Sequence, residues 1–311
     1  MTTDILLLLL GLVMVLLGAD ALVDGASSIA RRYGISEFVI GVTIIAFGTS
    51  APEMVVSFIS SIEGRADMAV GNIIGSNIFN IAFVLGITAL IAPVTVTKSN
   101  REWDIPFNVL VSLMLIVAAA YKGISRFDAA VFLAVFITYM WKSAVREKNS
   151  RNEEDSPTAD AGPVWKAVLF TVGGLAMLIY GGDMFVKRAE NIAYSAGLSD
   201  KFIGVTILAF GTSLPELAAS IVAAVKGKSQ MALGNVLGSN VFNVLIVLGG
   251  AALIRPLTAE GIGVADYCVV LLTAVTVMVC SSRKRMNLGR LSGSLLLAIG
   301  IGYMAYLFTT I

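Results

Sequence analysis

The chain has no histidine among its 311 residues, which removes the commonest transition-metal ligand and the usual proton shuttle near neutral pH. Cysteine is scarce too. Cys268 and Cys280 both fall inside one apolar run, where they read as small apolar fillers, not as a disulfide or metal pair. Charged residues make up only 14% of the chain, and the net charge is +1 with the basic residues scattered, so nothing points to a nucleic-acid partner. No phosphate-binding glycine loop and no nucleophile–base pairing is evident, so an enzyme is not expected and no cofactor is implied. What the chain has in quantity is apolar residues, 57% of the total, with a mean hydropathy of +0.86. That composition excludes a soluble globular protein.

A membrane span needs about 20 predominantly apolar residues. Ten such runs lie near 4–23, 35–62, 67–91, 104–121, 126–145, 164–186, 198–225, 230–254, 263–281 and 288–309. The second and seventh exceed one straight crossing, as expected of helices that break and re-enter. The start, Met1-Thr-Thr-Asp4, carries no basic segment, so the first run is expected to be a retained span and not a cleaved signal. Loops after the odd-numbered spans hold 15 Lys and Arg against 7 on the opposite side. The positive-inside rule then places both termini outside a cell membrane. The stretch 142–163 is polar and of mixed charge, so it reads as a solvated cytoplasmic linker.

The chain is duplicated. Gly41-Val-Thr-Ile-Ile-Ala-Phe-Gly-Thr-Ser-Ala-Pro-Glu53 returns 163 positions later as Gly204-Val-Thr-Ile-Leu-Ala-Phe-Gly-Thr-Ser-Leu-Pro-Glu216, and between Gly34 and Pro93 32 of 60 positions match their partners. Each half holds five spans, an odd number, so the second half must enter the membrane upside down. The expected fold is an all-α membrane protein of ten transmembrane helices in two inverted five-helix repeats, 1–141 and 164–311, around the linker. Inverted repeats of this type place a substrate site near the midplane and build it from discontinuous helices.

The Gly-Thr-Ser-x-Pro-Glu segments mark those discontinuities. Glycine permits unusual backbone angles, and proline removes an amide donor and disfavours helix in the residue before it. Pro52 and Pro215 suit the start of a new helical segment. Glu53 and Glu216 would then sit in its first turn, where the helix dipole favours a carboxylate. The break is expected to free carbonyls near Ala46–Phe47 and Ala209–Phe210. The next span of each half carries Asn72, Ser76 and Asn80, or Asn235, Ser239 and Asn243, at i, i+4, i+8 on one helix face. Gly71 and Gly75, like Gly234 and Gly238, form small-xxx-small pairs that permit close backbone approach. Asn77 and Asn240 leave this stripe and are as readily structural as functional.

A carboxylate in hydrocarbon is costly and by default functional. Neither half has Lys or Arg between Val39 and Ile62 or between Phe202 and Val225, so a bound cation is the obvious counter-charge. The convergent groups are all oxygens, the set that hard ions such as Ca²⁺ and Na⁺ prefer. Ca²⁺ accepts six to eight oxygens in adaptable geometry, whereas Mg²⁺ dehydrates reluctantly. Two glutamates are neutralised by one Ca²⁺, or in its absence by sodium ions or protons. Exclusive occupancy by unlike ions is the physical basis of exchange.

The paired Gly-Thr-Ser-x-Pro-Glu and Gly-Asn-x-x-Gly-Ser-Asn-x-x-Asn segments resemble the two α-repeats of the sodium/calcium exchanger family, within the calcium/cation antiporter superfamily. The likeness in layout covers nearly the whole chain. It implies ten helices, outside termini, and four cation sites among the second, third, seventh and eighth helices. It assigns calcium to Glu53 and Glu216 with backbone oxygens of Thr49 and Thr212. Sodium sites would add Ala46, Ser50, Ser76, Asn80, Ala209, Ser213, Ser239 and Asn243. Some family members carry aspartate at the position of Asn243, so the centre of this cluster holds only two acids. The family slides its first and sixth helices as a gate, which gives Asp20 and Asp183 a conceivable gating role beside the plainer one of water-exposed interfacial residues. The implied activity is Ca²⁺ export against inward Na⁺ by alternating access, with no obligate protein partner evident. A Ca²⁺/H⁺ antiporter is the nearest alternative and a passive cation channel a more distant one.

Overall fold

The computed structural model describes residues 2–150, 163–195, 209–258, 260–282 and 287–310. Apolar runs become helices throughout: α1 (Thr2–Tyr33), α2 (Glu37–Thr49), α3 (Ala51–Ile62), α4 (Ala66–Ile91), α5 (Asn100–Ala120) and α6 (Arg126–Arg146) form the first half. The second half supplies α7 (Val164–Ser195), α8 (Ala209–Thr212), α9 (Leu214–Val225), α10 (Ser229–Ile254), α11 (Val264–Ser281) and α12 (Arg290–Thr310). Among the described residues eight helices are long and apolar enough to cross a membrane, and the bent pair α2–α3 makes nine. Of the seventh predicted run only residues from 209 onward are described, as α8 and α9.

The breaks fall where the glycine and proline punctuation put them. Helix α2 meets α3 at a 49° bend, and the hinge residue Ser50 has φ −82° and ψ 6°, matched by φ −93° and ψ 9° at Ser213. Pro52 and Pro215 occupy the second residue of the new helix, still in its first turn but one later than the first position expected, because α3 begins at Ala51 and α9 at Leu214. Either position lacks an intrahelical partner for its amide, so proline costs nothing there. The turns leaving α3 and α9 both pass through a glycine at φ +77°, Gly64 and Gly227, a left-handed conformation open cheaply only to glycine.

Helices α4 and α10 form the centre, with 83% and 78% of their most apolar windows buried, against 28% for each of α1 and α7. Ile73, Ile74, Val84 and Leu85 of α4 pack with Val236, Leu237, Leu245 and Leu248 of α10 in the main core, which extends to α5, α6, α11 and α12. Both central helices switch to a wider π-helical winding at the same point, Asn80–Leu85 and Asn243–Leu248. Such bulges re-aim the side chains around them. A short antiparallel pair, β1 (Val94–Thr95) and β2 (Asn287–Leu288), joins the halves with Val94 opposite Leu288.

Glycine sets two close approaches. A Cβ on Gly41 would stand 2.4 Å from the Met231 carbonyl oxygen, and one on Gly238 2.6 Å from Val42 Cα, so α2 of the first half lies backbone to backbone on α10 of the second. The small-xxx-small expectation therefore holds for Gly234 and Gly238. The matching partner for Gly71 and Gly75 would lie in 201–208, outside the described residues. Helices α1 and α7 interlock in the same way, a Cβ on Gly174 falling 2.4 Å from Leu22 N and one on Gly18 2.7 Å from Leu178 N.

Candidate ion-binding site

Both acids follow a helix break and are buried. Glu53 and Glu216 each lie in the first turn after a break and are each 1% exposed. The Ser50 hydroxyl donates to Glu216 Oε1 at 3.2 Å, so the hinge of one half touches the carboxylate of the other. Glu53 also feels the charge of Glu216. Neither acid forms an ion pair among the described residues.

Asparagines hold these acids in place from behind. Asn72 Nδ2 donates to the Glu53 carbonyl at 3.2 Å and to Ser57 Oγ at 3.0 Å. Asn235 repeats this with the Glu216 carbonyl at 3.3 Å and Ser220 Oγ at 2.9 Å. Thr49 Oγ1 is 3.1 Å from the Ile45 carbonyl and 3.2 Å from Asn235 Oδ1, which links the first hinge to the second central helix.

On the central axis Asn77 and Asn240 exchange side-chain donors for backbone acceptors, at 3.3 and 3.2 Å, and Asn243 Nδ2 donates to Asn77 Oδ1 at 3.1 Å. These two asparagines therefore clamp α4 to α10. The sequence left their role open. Their exact repetition at the offset of 163 was the available signal, since a pair on the symmetry axis meets its own copy. Ser57 and Ser220 were missed as well. They too recur identically, one turn beyond each glutamate.

The remaining polar atoms are what a cation would need. Glu53 Oε1 and Oε2, Glu216 Oε2, Ser213 Oγ, Ser239 Oγ, Asn80 Oδ1 and Asn243 Oδ1 are buried without a hydrogen-bond partner of good geometry among the described residues. One such atom costs about 1–3 kcal/mol, and more when charged. Seven oxygens left in this condition are inconsistent with a site built for structure alone. No group of three or more acids, histidines or cysteines occurs among the described residues, so the charge comes from two glutamates and the rest of the donor set is neutral oxygen. That set suits a hard ion.

Other predicted residues are placed less centrally. Ser76 is buried and Thr212 half-buried. Ala209 opens α8, but its side chain lies outside the described residues. The Ala46 carbonyl is not freed by the break: it accepts the Ser50 amide at 3.0 Å, because one helical turn survives up to the hinge. Asp20 and Asp183 are away from the cluster, about half exposed and paired with lysines, Lys226 at 2.7 Å and Lys187 at 2.8 Å.

Two matched broken helices and two matched central helices, carrying buried oxygens without partners among the described residues and joined across the halves at Glu216, define a membrane transporter of cations. The model of the sodium/calcium exchanger protein family matches residues 3–145 and 166–309, and the chain belongs to that family. It is 40% identical to the putative antiporter CaxA of Alkalimonas amylolytica, over 97% of this chain and 98% of that protein. It is 30% identical to the sodium/calcium exchanger MaX1 of Methanosarcina acetivorans, with 99% of each covered. Among solved structures, the sodium-calcium exchanger NCX_Mj soaked with 2.5 mM Na⁺ and 0.1 mM Ca²⁺ superposes with a TM-score of 0.83 at 33% identity, over 97% of this chain and 98% of that one.

Proposed function

We propose that the chain exchanges Ca²⁺ for Na⁺ across a cell membrane by alternating access. It would do so as ten helices in two inverted repeats, 1–141 and 164–311, with both termini outside and 142–163 as a cytoplasmic linker. The observation that carries this reading is the set of buried oxygens without partners on the broken and central helices, those of Glu53 and Glu216 among them, with the halves joined by the Ser50–Glu216 bond. Calcium would be held by the two carboxylates with backbone oxygens of Thr49 and Thr212. Sodium would use Ser50, Ser76, Asn80, Ser213, Ser239 and Asn243, with the carbonyls of Ala46 and Ala209. For Ala46 that carbonyl would serve through its second lone pair, the first being taken by Ser50 N–H.

The chemistry follows from charge. Two ionised glutamates buried together repel each other and lack a basic neighbour, so the site is stable only with about two positive charges in it. One Ca²⁺ supplies them, and so do two Na⁺. The carrier therefore crosses between its two states readily when loaded with either ion and poorly when empty, which couples the two fluxes. If three Na⁺ move per Ca²⁺, one net charge crosses per cycle, worth about 2.3 kcal/mol per 100 mV.

The test is ⁴⁵Ca²⁺ uptake into proteoliposomes with Na⁺, K⁺ and pH gradients imposed one at a time. Uptake driven by an outward Na⁺ gradient alone is expected. Uptake driven only by a pH gradient would replace Na⁺ by H⁺ as the counter-ion, and non-saturating uptake needing no counter-ion would indicate a channel.

A further inference from the structure

The halves differ where α1 and α7 meet the helices that follow the breaks. Lys226, at the end of α9, bonds both Asp20 at 2.7 Å and Asp24 at 2.8 Å on α1, and Lys228 lies 3.7 Å from Asp24. Desolvation works against the Lys226 ammonium, but the hydrogen bonds and charges of Asp20 and Asp24 outweigh it and hold its pKa above the usual lysine range. Apolar packing accompanies the contact: Leu22, Val23 and Ala26 of α1 share a buried cluster with Ala218, Ala219 and Ala223 of α9.

At the equivalent place in the other half the contact is open. Lys187 of α7 bonds Asp183 of its own helix at 2.8 Å, and Glu63, just past α3, bonds Arg65 at 3.1 Å. Val55, the counterpart of Ala218, is 54% exposed where Ala218 is 7% exposed. The face that α1 covers on α9 is thus bare on α3.

The residues involved are related by the repeat with their charges exchanged. At the offset of 163, Asp24 corresponds to Lys187 and Glu63 to Lys226. A single reversal would turn attraction into repulsion. Both members are reversed, so an acid on α1 facing a lysine after α9 becomes a lysine on α7 facing an acid after α3. Attraction is kept at both ends with opposite polarity.

We propose that Asp24–Lys226 and Glu63–Lys187 are two alternative latches that hold the α1–α7 pair at the two ends of its travel, one closed when the other is open. The inference rests on the inverted-repeat, alternating-access reading above. In such a carrier the second state is reached when each half adopts the other's conformation. The glycine interlock of α1 with α7 makes them move as one body, so forming one latch requires releasing the other.

The test uses full-length protein in proteoliposomes with Cys268→Ser and Cys280→Ala. Two cysteine pairs are introduced separately, D24C with K226C and E63C with K187C, and a short bifunctional thiol reagent is applied in saturating Na⁺ or Ca²⁺ or with neither. Both pairs are expected to cross-link, each cross-link is expected to stop Ca²⁺ flux, and any condition that raises one yield should lower the other. Charge exchange supplies the second arm without cysteines. Glu63→Lys and Lys187→Glu should each shift flux by about two- to five-fold, the range of an exposed ion pair, and the double variant should restore it. Failure of the E63C–K187C pair to cross-link in every condition, or cross-linking yields of the two pairs that rise and fall together across conditions, would overturn the latches while leaving exchange intact. Absence of flux in the parent protein would instead overturn the functional reading on which they rest.

Discussion

The centre of the molecule and the contacts of α1 and α7 with the broken helices treat the same duplication in opposite ways. At the centre the residues are the same in both halves and several bonds repeat: Asn72 does for Glu53 what Asn235 does for Glu216, and Asn77 and Asn240 return each other's bonds. At the periphery Asp24 and Lys187, or Glu63 and Lys226, have exchanged charge, and only one of the two cross-helix contacts is made. A binding site must present the same oxygens whichever side it faces, so selection on both copies is the same. A gate must be closed at one end and open at the other, so any one structure of it has to be asymmetric. Identity between the copies therefore marks the site that both states share, and exchange of charge between them marks the gate.

The strongest way to break that comparison is to remove charge from one central copy. Glu53→Gln and Glu216→Gln should each reduce Ca²⁺ flux to the level of empty vesicles while the protein still folds and inserts, since neither carboxylate is paired with a base. Flux retained in one of them would mean that the two acids are not equivalent members of one site. Packing comes next. Gly238→Val places a side chain where Val42 Cα lies 2.6 Å from the first added carbon. Overpacking of that kind costs roughly 1–3 kcal/mol and should lower the thermal midpoint in detergent, whereas Gly173→Ala, with nothing within 4 Å of its Cβ, should leave it unchanged.

A finer cut separates the two clamping asparagines. Asn77→Ala and Asn240→Ala each remove one member of a reciprocal pair, and each should cost about 1–3 kcal/mol of stability through the buried group left unpaired. Asn77→Ala should be the worse of the two, because it also strands the Asn243 amide. The smallest expected effect is at the hinges. Ser50→Ala deletes the bond to Glu216 Oε1 and should weaken Ca²⁺ binding about tenfold, in line with roughly 1.5 kcal/mol, the lower end for a hydrogen bond to a charged group net of water. Ser213→Ala removes a hydroxyl without a hydrogen-bond partner among the described residues, so its effect should appear in ion affinity with no change in the thermal midpoint of ion-free protein.

Much of this was legible in the sequence because duplication does the work of an alignment within one chain. Apolar runs gave the helices, and Gly-Thr-Ser-x-Pro-Glu gave both the break and the acid, since glycine, proline and a buried carboxylate each carry a strong local signal. Long-range pairing was not legible. That Ser50 meets Glu216, or that Asn77 meets Asn240, depends on how the halves cross, and no local periodicity encodes it. The π-helical switch at Asn80 and Asn243 was also invisible, because a one-residue change in winding leaves apolar spacing almost untouched. The Ala46 carbonyl misled for a related reason: proline removes its own amide, not that of Ser50, so the last turn before the hinge survives.

The central claim is that two acids from opposite halves make one shared cation site, and equilibrium ⁴⁵Ca²⁺ binding to the purified protein tests it most directly. One Ca²⁺ per chain, displaced by Na⁺ and lost altogether in either Glu53→Gln or Glu216→Gln, is the expected result. Two Ca²⁺ per chain, with each single variant keeping one of them, would show separate sites and contradict it.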